Sequence, residues 1–589
     1  MILLFTTLLI LLINVVIFMP FFNLGLFGDD WLTIFRYFYY TETPKHLGPY
    51  SADYFNRFTY FFNSYGPQDT IMASLYKIFG QDSNIYFLTS YILRVIASFS
   101  LYLPAFYITK KKVAALFACF FFLFSSIGLE TSAWVFNMPS YLAIIFFNLL
   151  LLFYFRFRQE KKIKYLFLSY LFFFLTFTSN PIRAHGLLPF MIFLEIFWVI
   201  SERGRKVVKS SLMRLGGFFL IFLMIYFLGL KESISGNPVI GINNGLNNTL
   251  SFFSQGRFDF LFYPVATIGS MLIPDSFLRH GGEITSLSQY LSKIFVPIFF
   301  IFSILAIILY KSIKNLSGKF FPTLLSLSVF WAIFVSVISK FNLTTFSNVN
   351  YISLLLIGGD FLIIIFSLII FLKEDISVRG GLLIALAWTI ISFLYPWWVS
   401  PGSIFLTSHR YLIISGVGIS LLLAMIIGLG KNSKSILTLL VIGSIFLLIH
   451  SNTVRNYLNQ QYKTHSRETV RKIWSSMPYI PEVGRSTEPL IFYFEGDGTN
   501  AAIVGDSITF GFPPHMGIIY KITEENLMPI PMSEWKDVTS AVIDGKSLAP
   551  HNRPQKPIPV EQIYSFRLEG KDNLIDTTES TRRKLIDLK

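Results

Sequence analysis

The residues able to do chemistry in this chain fall in four short segments. The first is Phe27-Gly28-Asp29-Asp30-Trp31, directly after a long apolar run. Two adjacent carboxylates at a membrane surface are costly unless solvated or paired. One of them suits a general base, with its neighbour orienting it or tuning its pKa. The plainer reading is a helix cap, with Asp29 or Asp30 starting a helix from Trp31 to Tyr40. The other segments hold Glu130, then Arg183 with His185, then His409 with Arg410. Arginine makes planar, charge-assisted bonds to phosphate oxygens. The plain alternative for both arginines is snorkelling to lipid headgroups, and for both histidines a polar residue at the interface.

The composition fixes what must position these groups. Of 589 residues, 53% are hydrophobic and 14% charged, and phenylalanine alone supplies 65. Soluble domains carry roughly a quarter charged residues, so an ordinary soluble enzyme, a disordered chain and a disulfide-stapled scaffold are excluded. The single cysteine, Cys119, allows neither an internal disulfide nor a Cys-rich metal site. A bilayer protein fits. The net charge of +15 is no sign of nucleic acid: residues 451–589 balance 17 basic against 17 acidic residues, so the excess lies entirely in residues 1–450. There the bases cluster in short segments between apolar runs, as the positive-inside rule expects of cytoplasmic loops.

Runs long enough to span a bilayer are predicted near 2–22, 86–109, 113–129, 138–156, 164–179, 186–201, 215–230, 291–310, 320–338, 351–372, 381–396, 411–429 and 435–450. Every second loop is basic: Lys110 to Lys112, Arg156 to Lys164, Arg203 to Arg214, Lys311 to Lys319, Lys373 to Arg379, and Lys431 with Lys434. The amino terminus is therefore expected in the cytoplasm, with the first run an uncleaved anchor and the tail extracytoplasmic. Two long outside loops result, at about 23–85 and 231–290. The second mixes Gly/Asn turns (Gly241-Ile242-Asn243-Asn244-Gly245) with apolar stretches such as Phe258 to Ile273, expected to lie in the interface. Long loops between packed elements are more often functional than idle, so the active face is expected to point outward. Sequons at Asn247-Asn248-Thr249 and Asn342-Leu343-Thr344 fall in outside loops. Arg94, Glu195 and Asp360 lie inside apolar runs, where a structural pair and a functional path are both open. Trp397 and Trp398 suggest an interfacial aromatic belt.

The expected organisation is a transmembrane domain over 1–450, a helical linker over 451–484 and a small β-rich accessory domain over 485–589. In the tail, Pro489 to Phe494, Ala501 to Val504, Ile508 to Phe512 and Gly517 to Ile522 read as short strands. Ile503 to Gly511, with Gly505-Asp506-Ser507, resembles the nucleophile block of SGNH hydrolases. Neither downstream histidine, His515 or His551, has an Asp three residues before it, so this block reads as a strand and turn.

Gly28-Asp29-Asp30-Trp31 after a first span resembles the opening of the GT-C class of integral-membrane glycosyltransferases. That class includes protein O-mannosyltransferases and lipid A aminoarabinose transferases. The resemblance continues through Tyr65-Gly66-Pro67, Leu75 to Gly80 and Asn84-Ile85-Tyr86, then Gly128 to Trp134, and Ser408-His409-Arg410-Tyr411-Leu412 followed by Gly416 and Gly418. It implies inverting transfer of a sugar from a polyprenyl-phosphate donor at the outer face. By position, Asp29 matches the base, Asp30 its acidic partner and Glu130 the second-loop acid. Asn180 to His185 stands where relatives often carry Lys-Glu. The second loop lacks the metal-binding DxD or ExD pattern, so neither a metal nor another cofactor is assigned.

The sequence thus predicts a mainly α, polytopic helical bundle of about thirteen spans in the cell membrane, part of the cell envelope, with a small extracytoplasmic β-rich domain. Asp29, Asp30 and Glu130 would be catalytic; Arg183, His185, His409 and Arg410 would hold the donor phosphate. Partners would be the lipid-linked donor, a glycan, lipid or protein acceptor, and membrane lipid, without nucleic acid. A flippase or transporter of lipid-linked sugars, or a non-catalytic scaffold, is the competing class. A membrane O-acyltransferase would need an early intramembrane His and Arg pair, and the first five spans contain no histidine.

Overall fold

The computed structural model describes the chain except residues 1, 43–65, 203, 228–237, 279–281, 285, 314, 341–348, 373–375, 402–404, 487, 497–498, 510, 523–526, 552, 571 and 589. Tyr65, Arg203, Lys314, Lys373 to Asp375, Asn342-Leu343-Thr344, Phe510 and much of the two long outside loops lie outside the described residues. Most of the chain is helical. Among the described residues nine helices are long and apolar enough to cross a membrane: Ser83–Thr109, Val135–Glu160, Pro181–Glu202, Arg205–Ile225, Leu287–Ser312, Phe320–Ser339, Val349–Phe371, Val378–Val399 and Ser433–His465. The four remaining predicted spans coincide with the shorter apolar helices Thr7–Ile17, Lys112–Phe124, Ile163–Ser179 and Ser415–Gly428.

Short connections make sequence neighbours pack side by side. Lys110 and Lys161 both take left-handed backbone angles (φ 55°) and close the helices before them with amide bonds to Phe106 and Phe157. Each turn sends the chain straight back. The ionisable residues inside the apolar runs are structural in their contacts. Glu195 takes two hydrogen bonds from Arg214, at 2.6 and 2.7 Å, and Asp360 accepts one from Ser328 at 2.7 Å.

Arg94 works differently. It is fully buried and donates to the carbonyls of Phe122, Leu123 and Ser125, the last at 2.6 Å, and to the Ser132 and Tyr141 hydroxyls. The last carbonyls of a helix lack internal partners and carry partial negative charge. One guanidinium therefore caps the Lys112–Phe124 helix and ties it to the loop that follows, the loop holding Glu130.

Expectations for the second outside loop need correction. Gly241 to Gly245 is no turn: it lies inside the helix Pro238–Ser254, with both glycines giving room for the Tyr395 and Trp398 side chains. Phe258 to Ile273 is no interfacial segment either. Tyr263–Leu272 is buried against Val349–Phe371, so its apolar character answers to protein rather than to lipid. Trp397 likewise stacks on Phe260, and Trp398 donates to the Ile242 carbonyl.

The tail holds four strands, β1 (Ile491–Glu495), β2 (Ile530–Met532), β3 (Ile563–Glu569) and β4 (Asn573–Asp576), in the order β2-β1-β3-β4. β1 is parallel to β2 and β3, whereas β3 and β4 are antiparallel. Parallel strands need crossovers, and these are helical. Ala501 to Val504, Ile508 to Phe512 and Gly517 to Ile522, expected as strands, instead fall largely in Thr499–Ile503, a π-helical turn at Val504–Thr509 and the helix Phe512–Tyr520. The Gly505-Asp506-Ser507 block is thus neither a strand nor a nucleophile turn between strand and helix. One sheet face packs on Trp535–Ile543; from the other, Phe492 and Phe494 meet Phe512. That second face is continuous with the core of the helical bundle.

Candidate active site

The Asp29-Asp30 turn is built at a helix start. Gly28 (φ 56°) turns the chain into the helix Asp29–Glu42, both carboxylates lie in its first turn, and Thr33 bonds back to the Asp29 carbonyl. Acids at this end are favoured by the helix dipole. The two differ in surroundings. Asp29 is partly exposed. Asp30 is fully buried, and its carboxylate accepts the Phe136 amide at 2.7 Å and the Phe27 amide at 3.2 Å. Burial pushes the Asp30 pKa well above the usual carboxylate value, held back by those two amide bonds and raised again by Asp29. A carboxylate whose oxygens are both engaged inside protein is built to hold a loop in place.

The second-loop acid is brought in by backbone pairing. The Gly128 amide bonds to the Thr407 carbonyl at 2.8 Å and the Glu130 amide to Ser408 at 3.0 Å. Gly128 has φ 65°, and a Cβ there would lie 2.5 Å from the Ile413 Cα, so only glycine fits. This seam places Glu130 against the late segment: its carboxylate accepts the Arg410 amide at 3.2 Å and the Arg410 guanidinium at 3.4 Å.

Arg410 also lies over the Trp134 ring at 4.9 Å and the Tyr411 ring at 5.4 Å, while Arg183 lies 5.8 Å from the same Tyr411 ring. Arg183 is buried; it donates to Asn137 at 2.8 Å and to the Ser140 hydroxyl. Two guanidinium groups thus flank one aromatic ring, with a carboxylate beside one of them. Trp134 in turn stacks on Phe27 at 5.8 Å, which closes the circuit to the Asp29-Asp30 turn.

The histidines are less cationic than their sequence setting suggests. Burial, then Arg410 and Arg183, pushes the His409 pKa down to about 4, and its Nδ1 accepts the Tyr411 amide at 3.3 Å. His409 is thus neutral at pH 7, with its proton on Nε2. His185 lies against Tyr395, ring centroids 4.1 Å apart. Among the described residues no three or more His, Cys, Asp or Glu side chains form a group able to hold a metal ion.

Three features of the site escaped the sequence. Asn137 and Ser140, which hold Arg183, sit in an unremarkable polar patch before a span. Tyr411 carries no signal of its own beyond its place in the Ser408 to Leu412 motif. The tail's role was the least visible: His515 lies flat on Trp31 (3.8 Å between centroids, 4° between planes), with Trp474 edge-on to the same imidazole at 3.8 Å. Gly511 (φ 101°) sits so close to Gly28 that a Cβ would come within 2.6 Å of its carbonyl oxygen. His465 packs on Phe27, and its carbonyl accepts the Gly25 amide at 2.7 Å. The turn is clamped between the Glu130 loop and the tail.

Residues 69–228 match the family model of dolichyl-phosphate-mannose-protein mannosyltransferases. The matched segment includes Glu130 and Arg183 and stops short of Asp29, Asp30 and Arg410. No curated protein matches the chain. The match supports membrane glycosyltransferase activity, and the many apolar helices with a small C-terminal sheet are consistent with a GT-C fold. The chain is a multi-pass membrane protein.

Proposed function

We propose that this protein transfers a sugar from a polyprenyl-phosphate donor to an acceptor on the extracytoplasmic face, with inversion at the sugar carbon. The observation that carries the reading is the convergence of four segments distant in sequence: the Asp29-Asp30 turn, the Glu130 loop, Arg183 and Arg410. In the reaction, Asp29 takes the proton of the acceptor hydroxyl as that oxygen attacks the anomeric carbon. The bond from that carbon to the phosphate oxygen breaks, and its electron pair leaves with the lipid phosphate. Arg410 and Arg183 meet the charge gained by the leaving group, which is worth most in a water-poor site. Asp30 positions the turn, and Glu130 aims Arg410. Neutral His409 has one Nε2–H to donate to the phosphate. His185 has a place in donor binding only if the lipid-linked phosphate reaches towards Tyr395.

The test supplies purified protein in lipid nanodiscs with a panel of polyprenyl-phosphate sugars and membrane extracts as acceptors. Transfer from at least one donor, with the new glycosidic bond of opposite anomeric configuration by NMR, is the expected result. Absence of transfer from every donor would move the weight to a transporter or scaffold. Retention of configuration would rule out a single displacement with Asp29 as base.

A further inference from the structure

The geometry points to a glycan-binding cleft on the C-terminal domain, a distal subsite for a neutral or amine-bearing oligosaccharide acceptor. The inference rests on the glycosyltransferase reading and names the acceptor class that the tail takes. The cleft has a volume of about 730 Å³ and is walled by Pro478–Glu482 on one side and by Tyr564, Arg567 and Ile575–Ser580 on the other. That volume falls within the range of small-molecule sites, roughly 300 to 1,000 Å³.

Its chemistry is that of sugar recognition. Tyr479 is 69% exposed, yet its ring is braced by stacking on Tyr520, at 5.1 Å and 16°. Tyr520 also fixes the wall, its hydroxyl accepting the Ile480 amide at 2.8 Å. A braced, solvent-facing tyrosine presents an apolar face for a pyranose ring at little entropic cost, with polar groups around it to take the hydroxyls. Glu482, Asp576 and Glu579 supply carboxylates, and Thr577 and Ser580 hydroxyls. Arg567 lines the cleft and Arg582 borders it, 5.2 Å from the Tyr564 ring and paired with Glu579 at 3.7 Å, so the three carboxylates still outnumber the bases and admit a neutral or amine-bearing ligand.

The cleft is joined to the candidate active site on both sides. Tyr520 ends the helix that starts beside Gly511 on Gly28 and carries His515 onto Trp31. Tyr479 follows Trp474, which packs on the same imidazole, by five residues, a span of at most about 18 Å of extended chain. An oligosaccharide seated on Tyr479 is therefore within reach of the Asp29-Asp30 turn.

The experiment measures binding to full-length protein in lipid nanodiscs, without donor, by ligand-observed NMR and calorimetry. The probes are mannotetraose, deacetylated chitotetraose and mannose 6-phosphate. Binding of either tetrasaccharide, weakened roughly three- to tenfold by Tyr479→Ala and kept by Tyr479→Phe, is the expected result, with mannose 6-phosphate not bound. Failure of both tetrasaccharides to bind, equal binding by Tyr479→Ala, or preference for the phosphate would overturn the proposal. Tyr479 is exposed, so its substitution leaves the core intact. Donor-dependent transfer to octyl mannoside by the wild type is measured in parallel. Its absence counts against the glycosyltransferase reading, whereas absent tetrasaccharide binding counts against the cleft.

Discussion

The Asp30 carboxylate and the Phe136 amide are hydrogen-bonded at 2.7 Å across 106 residues of chain. The bond welds the first outside turn to the segment following Glu130, and it does so with a buried carboxyl group. Asp30→Ala leaves the Phe27 and Phe136 amides without their acceptor, at a cost of about 1–3 kcal/mol for each buried donor. Asp30→Asn retains one carbonyl oxygen and can serve one amide. Because burial raises the Asp30 pKa in the folded state, the folded protein binds more proton than the unfolded chain between the two pKa values. The associated stability is present below the unfolded value and is lost as pH rises through the folded one. Melting curves of the wild type and Asp30→Asn should therefore diverge as pH rises from about 4, with the wild type losing relative stability. Parallel curves would contradict the assignment.

Glu130 and Arg410 are both partly exposed, at 27% and 32% of their side chains. Pairs in such surroundings contribute about 0–1 kcal/mol. Glu130→Gln should leave the melting temperature within a few degrees of wild type while reducing transfer at least about tenfold, a loss of about 1.4 kcal/mol in transition-state stabilisation. A matching loss of stability would make the pair a fold element rather than an aiming device.

Arg183 tests the donor contact. Lysine keeps the charge but lacks the planar fork that spans Asn137 and Ser140. Arg183→Lys should raise the donor KM more than it lowers kcat, and Arg183→Gln should do both. Hydrogen bonds to charged groups contribute about 1.5–3 kcal/mol, so roughly tenfold or more in donor affinity is expected. An unchanged donor KM in both variants would remove Arg183 from the donor site.

The Trp31–His515 stack joins the tail to the helix that starts at the Asp29-Asp30 turn. Burial pushes the His515 pKa down to about 3. Its contribution to stability is present above the unfolded histidine pKa and is lost as pH falls towards the folded value. His515→Phe keeps the stack and should flatten the fall in melting temperature below about pH 6.5. His515→Ala should expose the tail to limited proteolysis and lower transfer. A tail equally protected in His515→Ala would separate it from the turn.

Much of the bundle was legible because one physical signal, apolar length, governs it. Each of the thirteen predicted runs coincides with a helix, although Thr7–Ile17, Lys112–Phe124, Ile163–Ser179 and Ser415–Gly428 are shorter than the nine long spans. The misreadings share a cause. Gly241 to Gly245 carries turn residues, yet its glycines serve a close helix contact with Tyr395 and Trp398. Tyr263–Leu272 is apolar for protein packing, not for lipid. In the tail, β1 was legible because a buried parallel strand reads as the continuous run Ile491 to Phe494. The glycine-broken runs after it were not, since short apolar runs do not separate strand from helix. At the site, residue types pointed to Asp29, Glu130, Arg183 and Arg410. The bonds that distinguish Asp30 from Asp29, and the packing of His515 on Trp31, are tertiary and left no local pattern.

The most direct test of the central claim compares transfer by wild type and Asp29→Asn at equal expression, with donor binding measured on both. Removing a general base should cost roughly two to four orders of magnitude in rate while the two arginines keep the donor bound. Full activity in Asp29→Asn would contradict the account, and loss of donor binding together with activity would place Asp29 in the donor site instead.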